Sequence, residues 1–108
     1  MAIQLTIPGV PGSFYDSGSG GIIYIDSFSC QGDRPGTFNV TKRWDFASDR
    51  LFTASVTGEI YSRVYVRLEG SDGGLLLTFS FAMIESYACR NGTETIYFNY
   101  ENFSSTNY

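Results

Sequence analysis

No histidine occurs anywhere in this sequence, and that absence alone removes most enzyme chemistry. A serine or cysteine nucleophile lacks its usual base, and a zinc-type centre lacks its commonest nitrogen ligand. Only two cysteines are present, too few to complete a metal site without histidine. The eleven Asp and Glu residues are scattered, with no paired spacing of the kind glycoside hydrolysis uses. The glycines of the SGSGG stretch match no phosphate-binding fingerprint. We therefore expect no enzyme, no cofactor and no metal.

Cations are also scarce. Seven Lys and Arg face eleven Asp and Glu, giving a net charge of −4 and a pI near 4.5, which argues against nucleic acid as the main partner. Lys42 is the only lysine and the other six cations are Arg, a balance that favours fixed, bidentate or stacked contacts. No apolar run is long enough to span a membrane, and Met1–Ile7 lacks the basic start and apolar core of a secretory leader. The expectation is cytoplasmic assembly without membrane insertion, with export needing a dedicated machine. The sequons at Asn39, Asn91 and Asn102 carry no weight in such a chain.

Cys30 and Cys89 end two strand-like runs, IIYIDSFSC and FAMIESYAC. A bridge between them would close a loop of about 60 residues, worth about 4 kcal/mol. The other reading is two half-buried thiols acting as small hydrophobes.

What is present favours strands. Hydrophobic residues make up 43%, with eight Tyr, nine Phe and twelve Gly, the composition of strands joined by tight turns. The 108 residues allow a single domain, 1–108, that buries roughly two-thirds of its unfolded surface. Ile3, Leu5 and Ile7 alternate with Gln4 and Thr6 up to Pro8. Gly9–Gly21 reads as a loop. Ile22–Cys30 reads as one strand, with Ile23, Ile25, Ser27 and Ser29 on one face and Ile22, Tyr24, Asp26, Phe28 and Cys30 on the other. The turn QGDRPG then leads into a strand over Thr37–Trp44.

Tyr61–Glu69 alternates again, Ser62, Val64, Val66 and Leu68 against Arg63, Tyr65 and Arg67. Leu75–Cys89 is too long for an ordinary strand, and a bend is expected near Ala82–Glu85. Asn91-Gly92 is a hairpin signal before a strand over Thr93–Tyr100.

Phe38–Gly58, FNVTKRWDFASDRLFTASVTG, is the most informative stretch. Phe38, Val40 and Lys42 alternate with Asn39, Thr41 and Arg43. The period then switches, and Leu51, Phe52, Ser55 and Val56 recur at helical spacing. Ser48 reads as the N-cap and Gly58 as the left-handed stop. Asp45 and Asp49 flank the helix start, where carboxylates favour the dipole. Leu51, Phe52 and Ser55 are expected to pack inward, with Asp49, Arg50 and Thr53 outward. Six or seven strands and one short helix near residues 48–57 make a mainly β fold, a small antiparallel barrel or sandwich.

These segments together resemble the Hcp family, the inner-tube proteins of type VI secretion systems, related to contractile-phage tail-tube proteins. The resemblance is carried by FNVTKRWDFASDRLFTASVTG, by VYVRLEG, by LLLTFSFAMIESYAC and by NGTETIYFNY. The opening IQLTIPGVPGSFYDSGSGGIIYIDSFS is similar to the family's first strand, Gly-rich loop and second strand. It departs from the family in the short Gln31–Gly36 turn, where members carry an extended loop that reaches the adjacent ring, and in Asp49, where Pro is frequent.

The resemblance implies an antiparallel barrel subunit that forms six-membered rings stacking into a hollow tube, with sheath, spike and lumen cargo as partners beside the chain itself. It places Ile23, Ile25, Ser27, Arg63, Tyr65 and Arg67 at the subunit interface or lumen, and Asp49, Arg50 and Thr53 on the outer helix face. With the Gln31–Gly36 turn so short, Tyr15 and Asp16 of the Gly-rich loop and Asn102, Phe103 and Tyr108 of the tail are expected to make the contacts between stacked rings. Two other readings stay open: a stand-alone extracellular tube or filament, and a monomeric carbohydrate-binding β-module using Tyr15, Tyr24 and Tyr65 as an aromatic platform.

Overall fold

Asn91 and Gly92 sit at φ 53° and 79°, the paired left-handed conformations of a two-residue hairpin turn. That turn joins β6 (Gly73–Arg90) to β7 (Thr93–Asn99) in the register Arg90 opposite Thr93. The computed structural model describes residues 2–10, 12, 21–30 and 36–108. Its remaining elements are β1 (Ala2–Thr6), β2 (Ile22–Tyr24), β3 (Ser27–Ser29), β4 (Thr37–Arg43), α1 (Ser48–Thr57), β5 (Ile60–Gly70) and β8 (Asn102–Asn107). Neighbouring strands are antiparallel throughout, in the order β2-β1-β5-β6-β7-β4-β3, with β8 against β6. The expected turn Gln31–Gly36, apart from Gly36, and most of the loop Gly9–Gly21 lie outside the described residues.

The two ends of this sheet are successive stretches of one chain segment. The expected single strand Ile22–Cys30 is two strands meeting at a corner, Ile25–Asp26. The Ile25 N–H donates to Ile3 O at 3.2 Å, and the Asp26 N–H donates to Thr41 O at 2.8 Å. Hydrogen bonding thus passes from β1 to β4 within two residues, and the sheet wraps into a barrel-like form whose seam is covalent. The corner also shifts the alternation: Ile23 and Ile25 point inward, and Phe28 packs on the core next, where strict alternation put Ser27.

The long β6 is a single strand of 18 residues with an irregularity between Ile84 and Ser86, inside the expected bend. Phe81 has φ 55°, and inward positions skip from Phe79 to Ala82. On the paired β5 the inward positions skip likewise, from Val64 to Tyr61, so Tyr61 is buried where alternation put Ser62. The tail, for which no strand was expected after Tyr100, is β8, in register with β6 from Leu75 opposite Asn107 to Ser80 opposite Asn102. Its polar NFSSTN sequence hides the strand because only one face meets the protein.

The helix spans the expected residues, and Gly58 closes it at φ 72° with its N–H on Ala54 O. Ser48 is not its cap. Ala47 occupies that position without a side-chain cap hydrogen bond, and just before it Asp45 Oδ1 accepts from the Ala47 N–H at 2.9 Å. Ser48, Leu51 and Ala54 face the sheet. Phe52, expected inward, is half-exposed and meets Tyr87 edge-on at 5.5 Å, because Ala54 and not Ser55 continues the inward stripe. The core joins Leu51 to Val64, Val66, Ile84 and Ile96 and to a stack in which Phe38 lies 4.7 Å from Phe98 and 4.1 Å from Phe79.

Candidate functional site

Val64 and Val66 anchor β5 in the core, which turns Arg63, Tyr65 and Arg67 together to the opposite face. Register carries that face across five strands. Arg67 lies between Gln4 and Leu76, with Tyr24 beyond Gln4 and Thr106 beyond Leu76. Tyr65 lies between Thr6 and Thr78, with Ile22 beyond Thr6 and Ser104 beyond Thr78. Arg63 lies beside Ser80, with Asn102 on the far side. The result is a wide platform of hydroxyls, amides, Tyr and Arg without a carboxylate in any of these three rows.

A groove of about 400 Å³ opens on the platform among Gln4, Thr6, Ile22, Tyr65, Arg67 and Leu76. A second, of about 330 Å³, is lined by Pro8, by the consecutive residues Glu59–Arg63 and by Tyr65. This groove follows the start of β5 and the residue before it. There β5 runs beyond β1, whose pairing stops at Thr6 opposite Tyr65. On the other flank of β6, the outer edge of β8 has no partner strand among the described residues. All six β8 residues are exposed and none is charged or proline, so this edge lacks the usual protection against further pairing.

The expected interface residues divide. Arg63, Tyr65 and Arg67 are brought together on the platform. Ile23 and Ile25 are buried inside the subunit and present no surface to a neighbour or a lumen. Ser27 is exposed but lies on β3, across the Ile25–Asp26 corner, with its hydroxyl hydrogen-bonded to that of Thr41. Tyr15 and Asp16 lie outside the described residues. Asn102 and Phe103 belong to β8, and Phe103 packs on Phe79 at 5.3 Å. Tyr108 follows the strand, exchanges backbone hydrogen bonds with Gly74 at 2.9 and 3.0 Å, and lies under the Arg67 guanidinium at 5.0 Å.

Asp49, Arg50 and Thr53 are exposed on α1, but Arg50 reaches back to donate to Gly9 O at 3.3 Å. Cys30 and Cys89 are free, exposed thiols, not the half-buried pair of the sequence reading. Register explains the absence of a bridge: Cys89 is opposite Glu94 and so level with Lys42, whereas Cys30 lies past Ser29, level with the start of β4 on the far side of that strand.

Residue-by-residue reading missed a buried polar cluster beneath α1. Lys42 and Glu94 are fully buried and form an ion pair. The Lys42 ammonium also donates to Asp45 Oδ1 at 2.9 Å, Ser48 Oγ at 3.3 Å and Arg43 O at 3.0 Å. Glu94 accepts from Ser48 Oγ at 2.9 Å and from the Tyr87 hydroxyl. The signal was legible: Lys42 alternates with Phe38 and Val40, and Glu94 with Ile96 and Phe98, on inward positions. The cluster joins β4, β6, β7 and α1, and its chemistry is that of a structural clamp.

Two tyrosines are perturbed. Burial pushes the Tyr61 phenol above its ordinary range, the Glu59 charge adds to this, and Arg50 partly opposes it. Its hydroxyl is buried without a hydrogen-bond partner among the described residues. Tyr100 is raised chiefly by burial, against a backbone hydrogen bond from Gly36 that lowers it. No group of three or more acidic or thiol side chains able to hold a metal occurs among the described residues, and none of their helices is long and apolar enough to cross a membrane.

No protein-family model matches the sequence, and no curated relative is found by sequence comparison. Solved structures do match. Hcp2 from Salmonella typhimurium superposes with a TM-score of 0.84 at 18% identity, over 97% of this chain and 84% of that one. A type VI secretion system effector from Yersinia pestis gives 0.76 at 18% identity, over 98% of both chains. The secreted protein Hcp3 from Pseudomonas aeruginosa gives 0.70 at 18% identity, over 99% and 98%. At such identities the likeness speaks for the backbone, and over nearly its whole length the chain adopts the fold of the Hcp proteins of type VI secretion systems.

Proposed function

We propose that this chain is a structural subunit that pairs with copies of itself into a ring, six-membered as in the tube reading of the Hcp resemblance, and that rings stack into a hollow tube. One observation carries the reading. Two strand edges without a partner strand among the described residues, that of β8 and that of β5 along Ile60–Arg63, lie on opposite flanks of β6 and have no shared sequence. A contact between two different edges is head-to-tail, and such contacts close into a ring when the rotation allows. Strand addition across it extends the five-strand platform from copy to copy and removes the unprotected edges.

In this reading the platform with Arg63, Tyr65 and Arg67 faces the lumen. The helix, clamped on through Lys42 and Ser48, presents Asp49, Arg50 and Thr53 to the exterior, where a sheath would pack. Tyr15, Asp16 and the Tyr108 end of the tail contribute to contacts between rings. A spike and lumen cargo would complete a secretion machine that exports the assembled protein; a stand-alone extracellular tube uses the same contacts without them. The role is structural and not catalytic.

Negative-stain microscopy with light scattering on the purified protein tests the reading. Rings or tubes are expected, and a monodisperse monomer at high concentration would overturn it.

A further inference from the structure

We infer that a groove walled by Ile60, Phe81 and Met83 receives Trp44 of a second copy of this chain, an inference that rests on the tube reading and supplies it with a contact between rings. One half of the contact is an aromatic side chain turned outward. Alternation along β6 puts Phe79 and Phe81 on the same inner face, yet Phe81 is 52% exposed and its backbone is left-handed at φ 55°. A bulky residue rarely adopts that conformation, and irregularities of this kind re-aim a side chain where function uses it. Beside it Ile60 is 63% exposed, and with Met83, Asn99, Tyr100 and Glu101 the two line a groove of about 230 Å³. The subunit by itself leaves both large apolar side chains in water.

The other half lies at the far end of β7. The groove adjoins Asn99, whereas Trp44 donates its backbone N–H to Gly92 O at 2.9 Å beside Thr93, about 20 Å away along the strand. Trp44 is the chain's only tryptophan and is 59% exposed. Arg43 and Arg90 flank Thr93 in one row, both exposed and two strands, about 10 Å, apart. Both ion pairs among the described residues belong to Lys42, so neither of these arginines has a carboxylate partner there. Arg67 and Arg50 are engaged by Tyr108 and Gly9 O, and Arg63 shares its groove with Glu59. Among the described residues the Phe81 groove is lined by one charge of the opposite sign, the carboxylate of Glu101. An aromatic knob between arginines at one end, and an apolar groove with a carboxylate at the other, are complementary between copies and out of reach within one. Such a contact is head-to-tail and repeats without closing, as stacking requires. It uses strand ends, which the edge-to-edge pairing of β8 and β5 leaves free, and it needs no long reach from the six-residue Gln31–Gly36 turn.

Because Trp44 is the only indole, its fluorescence reports the contact: an indole that leaves water emits at shorter wavelength. Emission spectra of the wild type over a concentration series are read beside negative-stain images of the same samples, and a shift to shorter wavelength is expected as rings stack. Phe81→Gly relieves the left-handed strain while removing the groove wall, and Trp44→Ala removes the knob. Each variant alone is expected to form rings that do not stack. When the two are mixed, Phe81→Gly rings supply Trp44 and Trp44→Ala rings supply the groove. Two-ring stacks and no longer ones are then expected, with the emission shifted. Glu101→Arg is expected to raise the concentration needed for stacking about tenfold. Normal tubes from either single variant, or wild-type tubes whose emission matches that of dilute rings, would overturn the inference while the tube reading stood. So would loss of rings in both variants, which would make these residues ring contacts. If the wild type forms no rings, the tube reading fails. Strings of single subunits with shifted emission would then still uphold the contact, and unshifted emission would overturn both.

Discussion

Lys42 and Glu94 face each other across the β4–β7 ladder, and both side chains are fully buried. The chain therefore spends its only lysine inside the core. Desolvating both charges is costly, and the network with Asp45, Ser48 and Tyr87 is what offsets the cost. Removing one partner strands the other charge. Glu94→Gln or Lys42→Met is expected to lower the unfolding free energy by about 3–5 kcal/mol, whereas an apolar double replacement of matched volume is expected to be close to neutral. Urea denaturation of the two single variants and the double variant checks the cycle, and a double-variant loss equal to the sum of the two single losses would show that the pair is not coupled.

The helix offers a ranking. Leu51 is fully buried and Phe52 is 50% exposed. Leu51→Ala is expected to cost about 2–5 kcal/mol, and Phe52→Ala distinctly less despite the larger side chain removed. Thermal or chemical melts of both variants decide it; the reverse order would show that Phe52 and not Leu51 holds the helix to the sheet.

Tyr61 gives a pH dependence. Its folded pKa is raised, so the stability linked to its neutral phenol is fully present below the unfolded value of about 10 and is lost as pH rises through the higher folded value. Tyr61→Phe removes a buried hydroxyl with no partner among the described residues and is expected to be neutral or stabilising by about 1 kcal/mol. In that variant the alkaline loss above pH ~10 should be shallower. An undiminished loss would assign it to other groups, Tyr100 first among them.

Removal of Asn102–Tyr108 deletes β8 and bares the edge of β6 from Leu75 to Ser80, together with the contact of Phe103 on Phe79. The truncated chain is expected to remain folded around the Phe38–Phe79–Phe98 stack but to lose rings, with irregular aggregation through the newly exposed edge. Normal rings and tubes from this variant would exclude β8 as an assembly edge.

The thiols are simple to probe. Cys30 and Cys89 are exposed and unpaired, so both should react with a thiol reagent in the native subunit, and reductant should leave the melting temperature unchanged. A reductant-dependent melting shift would indicate a bridge between copies.

The sequence by itself determined the local elements wherever one face of a segment meets a core. Alternation placed β4, β5 and β7, period placed α1, Asn91-Gly92 placed the hairpin and Gly58 the helix stop, because these patterns follow from backbone geometry within a few residues. Tertiary structure decided the rest. The corner at Ile25–Asp26 depends on β1 and β4 lying near enough to share one segment, which no local pattern encodes, and it moved Ile23 and Ile25 from expected surface to core. The strand character of NFSSTN depends on an open edge of β6, since a polar segment becomes a strand only when another strand offers its hydrogen bonds. Arg63, Tyr65 and Arg67 were legible as one face, but the uncharged rows around them were not, because a row is made of residues from five strands that meet only through register.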